Sequence, residues 1–114
     1  MSSPLEVASE QVAAYVARDL ERFMATYAPT CIIQDGIGQT LMEGEATMRE
    51  VYGALFANSP GLFCRVVSTM ESGPYVVVQE DCGGMNLPGY PEAVHAAVVY
   101  RVENDQITHV RFLW

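Results

Sequence analysis

This sequence predicts an α+β domain, on three observations. Apolar residues recur at helical spacing up to Asn58, Ser59-Pro60-Gly61 then breaks the pattern, and the remaining half alternates in extended runs between turn residues. Helices first and an antiparallel meander second place the helices together on one face of a sheet. The 114 residues form one domain, 1–114, large enough to bury a core without disulfide or metal staples.

Each element has its own signal. Ser3 is a good N-cap, Pro4 suits the first helical position, and Glu6 is placed to close a capping box. Leu5, Ala8, Val12, Tyr15 and Val16 follow at helical spacing, so the first helix runs to about Ala17. Asp19 caps a second, shorter helix with Leu20, Phe23, Met24 and Tyr27 inward, and Pro29 stops it. Strands are expected at Thr30–Gln34 and Thr40–Glu43. A third helix runs from about Glu45 to Asn58, with Met48, Val51, Tyr52, Leu55 and Phe56 on one face. Beyond the break, strands are expected at Phe63–Glu71, Tyr75–Asp81, Ala93–Val102 and Ile107–Trp114. Ser72-Gly73-Pro74 turns the first pair and Glu103-Asn104-Asp105 the last.

Composition narrows the function classes. Half the residues are hydrophobic and 18% are charged, which describes a globular chain rather than a disordered one. A formal net charge of −8, with six scattered Lys and Arg, argues against nucleic acid or an anionic membrane as partner. No apolar run approaches the ~18 residues of a membrane span. Ser3-Pro4-Leu5-Glu6 stands where a signal peptide would carry its basic and apolar regions. A cytoplasmic location is therefore expected. Cys31, Cys64 and Cys82 are widely spaced and read as small hydrophobes, Cys31 as core rather than nucleophile.

The most informative acid is Asp35, which ends the apolar run Cys31-Ile32-Ile33 just before Gly36-Ile37-Gly38. Desolvation at the edge of an apolar segment would raise its pKa toward neutrality, as a general base requires. The alternative is a turn-capping role, which Asp often takes.

The residues around Asp35 resemble one superfamily, the nuclear transport factor 2-like fold, in its SnoaL-like and ketosteroid isomerase-like branch. Ala14-Tyr15-Val16-Ala17-Arg18-Asp19 is similar to that branch's aYnarD signature. From Asp19 to Tyr52 the chain lies along ketosteroid isomerase without a gap, through D-I/L, xDxxG and GxxxxRExY; the Ile107–Trp114 strand matches as well. The resemblance implies a cone-shaped α+β domain, in which three helices pack on the concave face of a curved antiparallel sheet and enclose an apolar pocket. It speaks for a fold more than for a reaction, because one fold hosts many chemistries.

The resemblance also implies roles. Asp35 falls on the general base that moves a proton between carbons flanking a carbonyl. Tyr27 and Tyr52 fall on positions that support the oxyanion hole, and Trp114 falls on a pocket aromatic with Val110 and Phe112 beside it. Two positions depart from the pattern. Gln11 stands in the catalytic tyrosine's place, with Tyr15 one turn along the same face, and Val98 replaces the oxyanion-hole aspartate. Loss of one such donor typically costs ~10²–10³ in rate. Read as plain residues, Tyr15, Tyr27 and Tyr52 suit a core with satisfied hydroxyls, and Trp114 suits either pocket wall or core.

Strand alternation puts Val94, Ala96, Val98 and Tyr100 on one face, and Ala93, His95, Ala97, Val99 and Arg101 on the other. Thr108, Val110, Phe112 and Trp114 share the apolar face of the last strand, with His109 and Arg111 opposite. A hairpin sets His109 against Val99 to Arg101, roughly 13–20 Å from His95 at ~3.3 Å per residue. With no HxxxH, CxxC or calcium loop either, no metal and no cofactor are expected. The outer sheet face, with Ala93, Ala97, Val99, Ile107 and Leu113, is apolar enough to imply a homodimer. Glu80 and Asp81 precede a glycine- and proline-containing loop from Cys82 to Gly89 that could lid a pocket. One of these acids is a candidate second acid/base group facing the cavity; solvated strand-end charge is the commoner role.

Two functions from different classes follow. The first is a cofactor-independent, isomerase-like enzyme on a small hydrophobic carbonyl compound, with Asp35 as base and Tyr15 or Gln11 bonding the developing enolate. The second is a non-catalytic ligand-binding or dimerisation module that keeps the pocket and lacks the oxyanion donors.

Overall fold

Capping decides where the helices start. In the computed structural model, which describes residues 2–114, the Ser3 hydroxyl accepts from the Glu6 N–H and the Glu6 carboxylate accepts from the Ser3 N–H. This reciprocal box opens α1 (Pro4–Ala17), and Arg18, in the left-handed region, ends it. The Asp19 carboxylate caps α2 (Leu20–Met24), and α3 spans Glu45–Asn58.

The strands are β1 (Tyr27–Asp35), β2 (Thr40–Glu43), β3 (Phe63–Ser72), β4 (Tyr75–Gly83), β5 (Val94–Glu103) and β6 (Gln106–Leu113). They form one curved, unclosed sheet in the order β2-β1-β6-β5-β4-β3, with the three helices packed on it. All neighbours are antiparallel except β1 and β6, which run parallel, so the sheet is mixed.

Two local expectations are corrected. The second helix ends at Met24, and Tyr27 and Pro29 belong to β1. Proline has no N–H for the ladder, and the β1–β6 register shifts between Tyr27 and Ile32 around it. Ile107, expected on the outer face, is fully buried. The β5–β6 register shifts between Arg101 and Val102, pairing Ile107 with Val102 and turning it inward. Beyond that shift His109 pairs with Arg101, as the hairpin predicts.

The core lies between helices and sheet. Phe23 is its centre: its ring lies 4.6 Å from Tyr52, 5.0 Å from Tyr27 and 5.3 Å from Phe56, centroid to centroid. Ile33, Val76, Val98 and Ile107 are fully buried beneath from the sheet side. Among the described residues, no helix is long and apolar enough to cross a membrane.

Candidate active site

Between the helices and the inner face of β3–β6 lies a cavity of about 430 Å³. That is within the range of small-molecule sites, ~300–1,000 Å³. α1 contributes Gln11 and Tyr15, β1 Tyr27, and α3 Tyr52. The sheet contributes Cys64, Glu80, Cys82 and Tyr100, and the mouth carries Phe112 and Trp114, whose rings meet edge-on at 5.7 Å. Trp114 is 68% exposed, a rim residue rather than core.

The loop from Gly84 to Ala93 closes one side, with Met85, Leu87 and Tyr90 against the cavity. Its root is pinned: the Asn86 N–H donates to the Ser59 hydroxyl at 2.9 Å and the Asn86 amide to the Asn58 carbonyl at 3.1 Å. Gly84 has φ +73°, and a Cβ there would lie 2.0 Å from the Gly61 carbonyl oxygen, so only glycine lets these backbones approach.

Among the described residues that line the cavity, Glu80 is the only one with a charged side chain, and no Lys, Arg or His accompanies it. It is 6% exposed and shares the inward face of β4 with buried Val76 and Val78. Burial raises its carboxyl pKa above the ordinary value, and the hydrogen bonds from Cys64 and Cys82 partly oppose that. The Cys64 thiol donates to Glu80 Oε2 at 2.9 Å, and the Cys82 thiol donates to Cys64 Sγ at 2.9 Å. The hydrogen bond with Cys82, burial and the adjacent carboxyl hold the Cys64 thiol well above its usual value. Burial likewise pushes up the Tyr15, Tyr27 and Tyr52 hydroxyls, which therefore remain protonated donors. Gln11 is 6% exposed, and its Oε1 is buried without a hydrogen-bond partner. A buried polar atom without a partner is costly unless a ligand or water meets it.

Among the described residues, Cys64, Glu80 and Cys82 also form a group that could ligate a metal, with donor atoms all within 4.8 Å of one another. Two thiolates on a tetrahedral zinc sit about 3.8 Å apart, from Zn–S bonds of ~2.3 Å. The sulfurs here are closer, 2.9 Å apart, so a bound zinc would require the two thiols to part. The arrangement is a thiol–thiol–carboxyl hydrogen-bond chain.

Of the residues singled out from the sequence, Gln11, Tyr15, Tyr27, Tyr52, Phe112 and Trp114 line one cavity, whereas Asp35, Val98 and Val110 do not. Asp35 pairs with Phe112 across β1–β6, which brings its backbone to the cavity edge. Its Oδ1, however, accepts from the Ile37 N–H at 3.0 Å and the Gln39 N–H at 2.9 Å. These bonds close the β1–β2 turn, so the turn-capping role is the one the geometry gives it. Val98 and Val110 are buried core. The remaining outer-face acid, Asp81, pairs with Arg65 at 2.6 Å and with His95. Glu80 was legible from strand parity, because Val76, Val78 and Glu80 alternate on one face. What the sequence did not signal is that Cys64 lies directly opposite Cys82.

Comparison with known proteins agrees with this architecture. The SnoaL-like domain model matches residues 8–110. No curated protein matches the sequence. A cystatin-fold protein from Novosphingobium aromaticivorans is 25% identical, with all of both chains covered and a TM-score of 0.88. A protein with a ketosteroid isomerase-like fold from Catenulispora acidiphila, in complex with trimethylamine, is 17% identical over 99% of this chain and 87% of its own, TM-score 0.73. A proposed polyketide cyclase from Sinorhizobium meliloti is 15% identical over 94% of this chain and 93% of its own, TM-score 0.74.

Proposed function

The chain belongs to the SnoaL-like family, and we propose that its cavity is the active site of a cofactor-independent enzyme that moves a proton on a small hydrophobic carbonyl compound. Glu80, rather than Asp35, is the acid/base group. The observation that carries this reading is a single carboxyl, 6% exposed, in an otherwise uncharged cavity. A raised pKa lets one group take a proton from carbon and return it near neutral pH. In the reaction, the Glu80 carboxylate removes a proton α to the carbonyl. The Gln11 amide or the Tyr15 hydroxyl hydrogen-bonds the developing enolate oxygen, and Glu80 then delivers the proton to the product carbon. A SnoaL-like fold suits isomerase or cyclase chemistry of this kind, and the apolar walls suit a ring-bearing substrate.

The test is α-proton exchange into D₂O, followed by NMR across a panel of hydrophobic cyclic ketones. Wild type should exchange at least one of them, Glu80→Gln should lose ~10²–10⁴ in rate, and Asp35→Asn should retain it. A folded Glu80→Gln that still exchanges at the wild-type rate would refute the assignment. A second reading, a binding module without chemistry, is favoured by Asp35 being held in a turn and by Val98 being core. Ketone binding with no exchange by wild type would select it.

The outer sheet face exposes Val67, Met70, Tyr75 and Leu113, and this apolar area suits a second copy of the chain. Light scattering should give a dimer mass for wild type, with Met70→Glu shifting it toward monomer. A monomer at all concentrations would exclude the homodimer.

A further inference from the structure

The cavity wall contains a pair of thiols that proton transfer does not use. Cys64 on β3 and Cys82 on β4 are direct cross-strand partners, with their sulfurs 2.9 Å apart and both half-buried on the cavity side. Opposed residues in an antiparallel ladder have Cα atoms ~4.5–5.5 Å apart. Disulfides span ~4.4–6.8 Å between Cα atoms, so a bond can form here without moving either strand. The third cysteine, Cys31, is fully buried on β1 and does not line the cavity.

We propose that Cys64 and Cys82 are a reversible modification site: a hydroperoxide entering the cavity oxidises them to a cross-strand disulfide that disables Glu80. The effect on activity rests on Glu80 being the acid/base group; the disulfide itself does not. Cys64 already donates to the Glu80 carboxyl, which accepts its proton as the sulfur attacks the peroxide. The O–O bond breaks, Cys64 becomes a sulfenic acid, and the proton passes from Glu80 to the departing hydroxide to form water. The Cys82 sulfur then attacks Cys64 sulfur and loses its proton, and the sulfenic hydroxyl leaves as a second water. Two thiols and one hydrogen peroxide thus give one disulfide and two waters. The hydrogen bond with Cys82, together with burial and the adjacent carboxyl, keeps the Cys64 thiolate fraction small, so the reaction depends on Glu80 taking the proton as the sulfur attacks.

The consequence for Glu80 follows from counting donors. In the reduced protein two thiols form a chain that ends on its carboxylate and opposes the effect of burial. A disulfide has no S–H, so the carboxylate loses that support while remaining desolvated. Its proton affinity rises and the base stays neutral to higher pH.

The experiment treats the reduced full-length chain with hydrogen peroxide and follows intact mass, peptide mapping and the Glu80 carboxyl titration by carbon-13 NMR. Expected is the loss of two hydrogens, a Cys64–Cys82 cross-link reversed by dithiothreitol, and Cys31 still free. The Glu80 pKa should be higher in the oxidised form. Cys82→Ser keeps the Cys64 thiol and puts a hydroxyl donor in place of the second thiol, so it should not cross-link and its Glu80 should titrate below the oxidised form. The proposal is overturned if peroxide drives Cys64 to a sulfinic acid without a cross-link, or if Glu80 titrates identically in both forms. A cross-link that moves Glu80, alongside a fully active Glu80→Gln, would sink the proposed reaction and leave the disulfide site standing. An inactive Glu80→Gln with no cross-link would do the reverse.

Discussion

Asp35 and Glu80 each follow an apolar alternation along a strand, yet they end in opposite environments. Asp35 is the last residue of β1, beside the four-residue edge strand β2, and the turn after it offers free backbone N–H groups. Its carboxylate takes two of them. Glu80 lies three residues before the end of β4, between β3 and β5, where the backbone N–H groups belong to ladders. The donor left to it is a thiol. An acid at a strand end is thus claimed by its turn, whereas one a little earlier on the inward face must enter the core and carry its desolvation.

The largest test of this contrast is catalytic: the ~10²–10⁴ loss expected of Glu80→Gln against the indifference expected of Asp35→Asn. Reversed outcomes would return the base to Asp35. For stability the ranking inverts. Asp35→Ala leaves the Ile37 and Gln39 N–H groups without a partner and should cost about 1 kcal/mol in urea unfolding. Asp35→Asn keeps an acceptor oxygen and should cost less.

A larger stability effect is expected beside the cavity. Gly84→Ala combines a left-handed backbone with a Cβ 2.0 Å from the Gly61 carbonyl oxygen, and should cost about 1–3 kcal/mol. The urea midpoint measures it, and an unchanged midpoint would mean that the lid root is looser than described.

The smallest effect is a pH slope. Folded Glu80 holds its proton above its ordinary pKa of 4.5, so between the two values the native state binds more protons than the unfolded chain. Its contribution is fully present below pH 4.5, falls as pH rises through the folded value, and is level beyond it. Asp81 acts in the opposite sense. Hydrogen bonds from His95 and Arg65 hold it below its ordinary 3.8, so its contribution exists above that value and is lost on further acidification. Unfolding free energies at a series of pH values should show the fall above pH 4.5 in wild type, and Glu80→Gln should abolish it.

Much of the fold could be read directly. The Ser3–Glu6 box, the Asp19 cap and the span Glu45–Asn58 appear as the spacing predicts, because caps and amphipathic periods are local. Tyr27 was misplaced because helix and strand compete for the same short apolar run, and pairing with Ile107 decided for the strand. Ile107 itself was turned inward by a register shift that alternation cannot anticipate. In the site, Gln11, Tyr15 and Tyr52 were legible from one helical face each. That Glu80 faces inward was legible from strand parity; that Asp35, on the same parity as Ile33, is held in its turn was not, because the free N–H groups of Ile37 and Gln39 that take its carboxylate come together only in the folded turn.

The sequence by itself determined the helices, the meander, the apolar inner faces and the resemblance that the SnoaL-like match now supports. Those depend on neighbours three or four residues apart on a helix and two apart on a strand. Only the tertiary structure decided that β1 lies parallel to β6, that Cys64 faces Cys82, and that Glu80 rather than Asp35 enters the cavity. Each of these is a cross-strand relation set by register and by which backbone donors remain free, and neither quantity exists until the sheet has formed.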